Sequence, residues 1–535
     1  MKRIHWIWLL IFLGGIFLLE VNSIRHKTFT ADEEDHYGYG WNILMLNADS
    51  RIEGNGTLMP FNSMNALPRL IGRHLSTGRL HDFLTDMMTG RLITMLFSLL
   101  LAFYVFKWSM ELYGIHAGYF SLLLFAFSPN IIAHSRLITN DIFATCLMTI
   151  SLYYFWRFIT WGGWKRAAVA ATLVGISQVA KYSCVGLYPM MVGIIMVRYG
   201  PDLVTELREK DIKSLTRIAS VFLKYALFFA AVSLLIINAG FLFNRTFTPL
   251  EDYTFESNFW QNIQSQAGVL ARIPLPLPVP YLEGPDSRQW ESETGEHGNA
   301  YLFGETRNPG CFTGYYFWAY LYKVPIAIQL FLLLSIFVYI INFRKYNFSR
   351  NEAFLWIPII LFSVYINFFP GIQSGLRYSL PIFPLLLIFT GSLLKNWLDF
   401  RLLSKLGISV LAIYLIVSVL SYFPHYLSYF NELVWDRRQA YKILSDSNLR
   451  WGQNRWYLRQ YLDSHPEAIL FPRGPRAGRL VVGAGRLVGI FHPEEYRWLR
   501  DNFEPVDHVA YSFLVYEISQ EELDTIPRDK KGLKK

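Results

Sequence analysis

The stretch Thr28–Gly40, TFTADEEDHYGYG, sets Asp32, Glu33, Glu34, Asp35 and His36 side by side, directly after an apolar run at residues 4–24. Carboxylates placed where a chain leaves a bilayer suit a general base that takes a proton from a hydroxyl. Two other uses of the same residues stand beside that one. Acids at the start of a helix favour it by about 0.3–1 kcal/mol each, so the run is also a helix opening. Asp32 and His36 fall four apart, the spacing of a metal-binding pair, although Asp32 stands where the HExxH motif needs a first histidine.

Three further stretches place single cations at the ends of apolar runs. FSPNIIAHSRLITND (127–141) carries Arg136 and Asp141, VAKYS (179–183) carries Lys181, and GLRYSLP (375–381) carries Arg377 beside Tyr378. Asp141 opens the next apolar run and Arg136 lies just before it. As isolated features these are a helix cap and cations reaching lipid headgroups. Taken together, three cations at the outer ends of different helices suit one shared anion, with Arg holding phosphate bidentately and Lys acting as a point charge. Ionisable groups at such depth are functional candidates.

The elements that must carry them are membrane spans. The chain has 535 residues, 53% of them hydrophobic, 17% aromatic and 17% charged, where a soluble protein carries about 25% charged residues. About eleven apolar runs approach the length of about 20 residues that a spanning helix needs. They lie near 4–24, 89–107, 117–134, 142–159, 166–181, 184–198, 219–243, 324–343, 353–370, 380–395 and 406–424. Basic residues such as Lys2, Arg3, Lys107, Arg157, Lys165, Arg166, Arg198, Arg344, Lys345 and Arg401 collect in alternate loops. By the positive-inside bias these are cytoplasmic, as is the N-terminus. The same bias explains the net charge of +9 without nucleic acid as a partner. The loops at 25–88 and 244–323 and the tail 425–535 are then extracytoplasmic.

The expected architecture is a polytopic α-helical membrane protein with a transmembrane catalytic domain over 1–424 and a small soluble α/β domain over 425–535. The basic front and missing small-residue cleavage site make the first run an uncleaved span. Three cysteines give no disulfide framework or metal motif. GAGRLVG (483–489) has the spacing GxGxxxG, with no evident following helix or acidic ribose partner, so it is not expected to be a dinucleotide loop. NGT at 55–57 accepts a glycan only in a secretory-pathway host.

A membrane-held phosphate gripped by cations, with a carboxylate base nearby, fits glycosyl transfer from a polyprenyl-phosphate sugar. Cations then stabilise the leaving phosphate, and a single base on the opposite face of the sugar implies inversion. At this point the residues resemble the bacterial branch of the dolichyl-phosphate-mannose–protein mannosyltransferases, of GT-C type. The resemblance rests on DEEDHYGYG, FSPNIIAHSRLITND, AKYS, YLFGETRNPGCFTGYYFWAYLYKVP, GLRYSLPIFP, PHYLSYFNELVW, SDSNLRWGQ and AYSFLVYEI. It implies a bacterial inner- or plasma-membrane enzyme that moves mannose or a similar hexose, without metal or cofactor, to a protein, glycan or lipid acceptor. It makes Asp32 the base with Glu33 beside it. It gives Arg377, Tyr378, Lys181 and Arg136 to the donor phosphate. His36, Asp141, Glu305, Asp446, Asn448, Trp451 and Gln453 are further substrate-binding candidates. His297 and Lys323, amid Trp and Tyr, suit a sugar face or an interfacial aromatic belt.

The family tail usually reads DSNLDWGQD; Arg450 and Asn454 replace its acids. FNSMNALPRL (61–70) replaces a proline-rich segment. The rival readings are a lipid transporter or flippase, which places charges near the bilayer midplane, and a catalytically inactive scaffold.

Overall fold

A computed structural model describes residues 2–47, 56–209, 212–369 and 371–525. Asn55 of the NGT site lies outside these residues. Among them, seven helices are long and apolar enough to cross a membrane, or nine if two bent pairs each count as one span. The protein is a multi-pass membrane protein. The expected count of eleven is not reached by that measure, although every predicted run is helical. The reason is local. Ser128–Pro129 breaks one run into Ile115–Ala126 and Pro129–Ser135, bent by 67°. Val324–Pro325 separates Tyr315–Lys323 from Ile326–Ile341 at 112°. Proline lacks the N–H and crowds the preceding turn, so each run stops there. The Trp164–Gln178 and Ala353–Phe368 helices, with 15 and 16 residues, fall short of a straight span.

The Asn140–Trp161 helix runs through the middle and is almost wholly buried, which accounts for its apolar residues on every face. It packs against Met88–Tyr113 and Trp164–Gln178. By contrast Arg3–Ser23, Ile212–Gly240 and Leu402–Leu420 expose most of their apolar surface. That exposure is stable only in lipid.

The two ends of the bundle differ. At one end Trp156 Nε1 donates to the Arg350 carbonyl and Lys395 stacks over Tyr346. The segments 24–47, 56–87, 136–141, 241–314, 371–377 and 421–525 gather at the other. There the tail forms a four-stranded sheet in the order Ile469–Leu470, Gly478–Gly483, Phe513–Ile518, Asp507–Val509; the first pair is parallel and the others antiparallel. Its side chains alternate. Leu480, Val482, Leu514 and Tyr516 join the main core. Val481, Phe513 and Val515 face Leu458 of the Arg455–Ser464 helix. A period of two with both faces covered gives the hydrophobic runs read in the sequence.

GAGRLVG starts at the edge of this sheet: Gly483 ends the strand that pairs with Phe513–Ile518, and, contrary to expectation, a single helical turn, Ala484–Leu487, follows it. A Cβ there would come within 3.0 Å of the Arg450 guanidinium, which packs 4.9 Å from the Phe513 ring centroid. The glycine leaves room for Arg450.

Candidate functional site

Asp32 precedes the Glu33–Leu44 helix, whose first turn holds Glu33, Glu34 and Asp35. The helix-opening use of the acids is therefore present. The segment before it is fixed from the tail. Thr28 N–H donates to the Gln453 carbonyl at 3.2 Å and Ala31 N–H to that of Trp451 at 3.1 Å. The Thr28 hydroxyl donates to the Gly452 carbonyl at 2.6 Å. Gly452 has φ +95° and its missing side chain faces the Phe29 carbonyl, so a glycine is what the turn accepts. Gln453 closes the turn by accepting from Trp451 N–H at 2.6 Å. The WGQ motif thus carries Trp451 and holds the segment that ends at Asp32.

Arg377 lies in a 3-10 stretch, Leu376–Ile382. The DSN motif clamps it from the tail. The Asn448 side chain accepts from Leu376 N–H at 3.0 Å and donates to Tyr315 Oη at 2.8 Å. The Ser447 hydroxyl donates to the Ser374 carbonyl. Gly375, φ +104°, sits so near Ser447 Oγ that a Cβ there would clash with it. No larger residue fits.

These segments bring four charges together. Arg377 Nη1 is 3.3 Å from Asp32 Oδ2 and 4.0 Å from Asp141 Oδ2. Lys181 Nζ donates to Asp141 Oδ1 at 2.5 Å. The Arg377 guanidinium lies 3.9 Å from the Trp451 ring centroid, and Lys181 Nζ 4.9 Å from that of Tyr378. Such cation–π contacts are worth about 0.5–2 kcal/mol and orient the cation. Asp141 is buried, with 3% of its side chain exposed, whereas Asp32 keeps 30%. Asp141 is the internal counter-charge and Asp32 the carboxylate that faces out. Two cations and two carboxylates balance. Yet Arg377 Nε and His134 Nδ1 are buried without a partner, and an orphaned donor in such a cluster marks a place for water or ligand.

His36 Nδ1 pairs with Asn62 Oδ1 at 3.2 Å. Burial pushes its imidazole below the ordinary range, against the pull of Asp32 and Asp141. His36 is thus a neutral neighbour of the carboxylates. Asp446, φ +56°, lies close to His297, Arg377 and Asp32; burial raises its carboxyl, opposed by His297 and Arg377. His297 bonds through Nε2 to Ser374 Oγ and sits 3.4 Å from Glu291. Arg288 bridges Glu291 at 2.5 Å and Tyr378 Oη at 3.2 Å.

Three expected site residues lie elsewhere. Glu33 turns inward to a fully buried ion pair with Arg91 at 2.7 Å, and also accepts from Thr30 N–H and Ile138 N–H. It anchors the loop that carries Asp32. Arg136 is buried, donating to the Ser23 and Pro424 carbonyls; it braces three segments instead of joining Arg377. Glu305 is exposed on a small hairpin, 4.0 Å from Arg307. Lys323 is enclosed, donating to the Leu427 and Asn448 carbonyls. Among the described residues, no group of three or more His, Cys, Asp or Glu is disposed to hold a metal ion.

Residues that the sequence reading passed over are Arg91, Asn62, His134, Glu291 and Arg288. Arg91 had a signal, a charge three residues into an apolar run.

Residues 83–207 match the family model described as dolichyl-phosphate-mannose-protein mannosyltransferase. The chain resembles that family. The matched region carries Arg91, Arg136, Asp141 and Lys181, and Asp32 and Arg377 lie outside it. No curated protein matches the chain. Two solved structures of ArnT from Cupriavidus metallidurans are similar to it. The apo form has 11% identity and TM-score 0.41, over 75% of this chain and 62% of that one. The form bound to undecaprenyl phosphate has 12% identity and TM-score 0.31, over 95% and 97%. The chain thus spans less than two thirds of the apo ArnT chain.

Proposed function

We propose that the protein is an inverting glycosyltransferase of GT-C type that moves a hexose from a polyprenyl phosphate to an acceptor hydroxyl. The observation that carries the reading is the direct approach of Asp32 to Arg377, with Arg377 Nε left unpaired beside it. The family match over 83–207 supports the donor class.

In this reading Arg377 and Lys181 hold the phosphate, with Tyr378 and Trp451 orienting the cations. Arg377 exchanges its contact with Asp32 for the phosphate, leaving that carboxylate free. Asp32 takes the acceptor hydroxyl proton while the oxygen attacks the anomeric carbon opposite the phosphate. The anomeric C–O bond breaks, and the departing phosphate gains a charge that Arg377 and Lys181 stabilise. The configuration inverts because one displacement occurs. Asp141 keeps Lys181 and Arg377 in place, and Asp446 and His36 line the approach.

The site end is extracytoplasmic in this proposal, with the N-terminus in the cytoplasm of a bacterial cell. Residues 1–424 form the catalytic domain and 425–535 a domain that shapes the acceptor side. A flippase reading is less well supported, because the charges cluster at one end of the bundle and not at mid-span.

Purified protein incubated with a panel of labelled polyprenyl-phosphate sugars tests the proposal. Release of label from one sugar, to acceptor or to water, is expected. Stable label across mannose and related hexoses, with the protein folded, would overturn it.

A further inference from the structure

Residues 249–274 leave the bundle as a lobe whose two ends are tied together. Pro249 and Pro274 bridge, Phe247 N–H donates to the Leu275 carbonyl at 3.0 Å, and Leu275 N–H to that of Thr248 at 3.2 Å. The knot lies a few residues past the end of the Ile212–Gly240 helix. Residues 241–247 run as consecutive turns, with Phe243 N–H on the Asn238 carbonyl and Asn244 N–H on that of Phe241, so the lobe is held close to the level where that span leaves the bilayer.

Inside the lobe, Ser257 caps the Asn258–Gln266 helix by accepting from Trp260 N–H. Trp260 stacks on Phe255 with centroids 5.5 Å apart, and that side of the helix faces Tyr253 and Val279. One flank of the helix carries Phe259 and Ile263, four apart, followed in sequence by Val269, Leu270 and Ile273. Val269 is 80% and Leu270 68% exposed. Phe243 and Phe247, between the span and the knot, are exposed as well. A stripe of large apolar residues from the end of a span to a helix beside it exceeds the scatter expected on a wet surface. Gln261, Asn262 and Ser265 occupy the other exposed positions. This is the pattern of a helix lying in a membrane interface.

We propose that the 249–274 lobe rests on the bilayer, with Phe259, Ile263, Val269 and Leu270 in the acyl boundary and Arg245 and Arg272 at headgroup level. The occupant of the apolar stripe is the lipid leaflet that surrounds the Ile212–Gly240 helix, because the lobe follows that span within nine residues and the connection itself exposes Phe243 and Phe247. This inference does not depend on the catalytic reading.

Spin labelling of the full chain tests it. Ile263→Cys and Leu270→Cys probe the stripe and Ser265→Cys the polar side, each with Cys311→Ser; Cys146 and Cys184 are buried. The labelled proteins are placed in phosphatidylglycerol–phosphatidylethanolamine nanodiscs. Relaxation by oxygen exceeding that by a water-soluble nickel chelate at 263 and 270, with the reverse at 265, is the expected result. Nickel access at 263 and 270 equal to that at 265 would overturn the proposal. So would exclusion of both reagents at 263 and 270, which points to a second protein copy covering the stripe.

Discussion

Replacing Glu33 by Gln separates a structural carboxylate from a catalytic one. Glu33 and Arg91 have no exposed side-chain surface. Arg91 reaches Glu33 with Nε at 2.8 Å and Nη2 at 2.7 Å, and Thr30 and Ile138 N–H groups occupy the same carboxylate. The amide of the Glu33→Gln variant keeps one acceptor oxygen, for either the Thr30 or the Ile138 N–H but not both, and leaves the Arg91 charge buried and unmatched. Breaking one side of such a pair costs about 3–5 kcal/mol. At about 2 °C per kcal/mol for a large chain, the thermal midpoint in detergent falls by about 6–10 °C. Arg91→Gln costs a similar amount. The double variant costs about 1–3 kcal/mol less than the two single ones summed, because no lone charge remains. Sugar transfer by Glu33→Gln tracks the folded fraction. A variant with the wild-type midpoint and no transfer would refute this reasoning and return Glu33 to the chemistry.

Two further outcomes follow from the tail. Asn448→Ala removes the acceptor of Leu376 N–H and loosens the 3-10 stretch that presents Arg377, at a cost of about 1–3 kcal/mol. Donor binding weakens more than the acceptor KM rises; an effect on acceptor KM alone would show that DSN reads the acceptor directly. Lys27 is buried against His425 Nδ1 at 2.7 Å and Asn454 Oδ1 at 2.6 Å, and among the described residues no carboxylate pairs with it. Burial, with Arg136 adding to it, brings its amine down to about 6 from an ordinary 10.5. A depressed folded pKa means that the unfolded chain binds the proton first. This group's contribution to stability is thus present above about pH 10.5 and lost as pH falls toward 6. Lys27→Met removes that slope, so its midpoint relative to wild type improves from pH 9.5 to pH 6.5; a difference constant with pH would contradict it.

Much of the site was legible because its residues break a local rule. Lys181 and Arg377 stand at the helix ends where basic residues are scarce, and Asp32 crowds other acids, so each signals itself within a few residues. Glu33 and Arg136 share those signals, yet they are used for bracing. What separates them is their partner: Arg91 for Glu33, Ser23 and Pro424 carbonyls for Arg136. Such partners are distant in sequence and no local pattern names them. In sequence, Asp446 and Asn448 of the DSN motif stand only as substrate-binding candidates. Its hold on Gly375 and Leu376 is invisible without the fold that brings residues 374–376 to 447–448. The spans were readable from apolar length, but their count was not, since Pro129 breaks a run that composition alone leaves continuous and the helices at Trp164–Gln178, Ile326–Ile341 and Ala353–Phe368 stop short of a full span.

The central claim is that Asp32 removes the acceptor proton while Arg377 holds the donor phosphate. Single-turnover transfer from a labelled polyprenyl-phosphate sugar, measured alongside donor binding for Asp32→Asn, tests it most directly. The account predicts unchanged or tighter donor binding, as Arg377 loses its competing partner, with the transfer rate down by at least about 100-fold, the scale of a lost general base. Transfer by Asp32→Asn at the wild-type rate would contradict it.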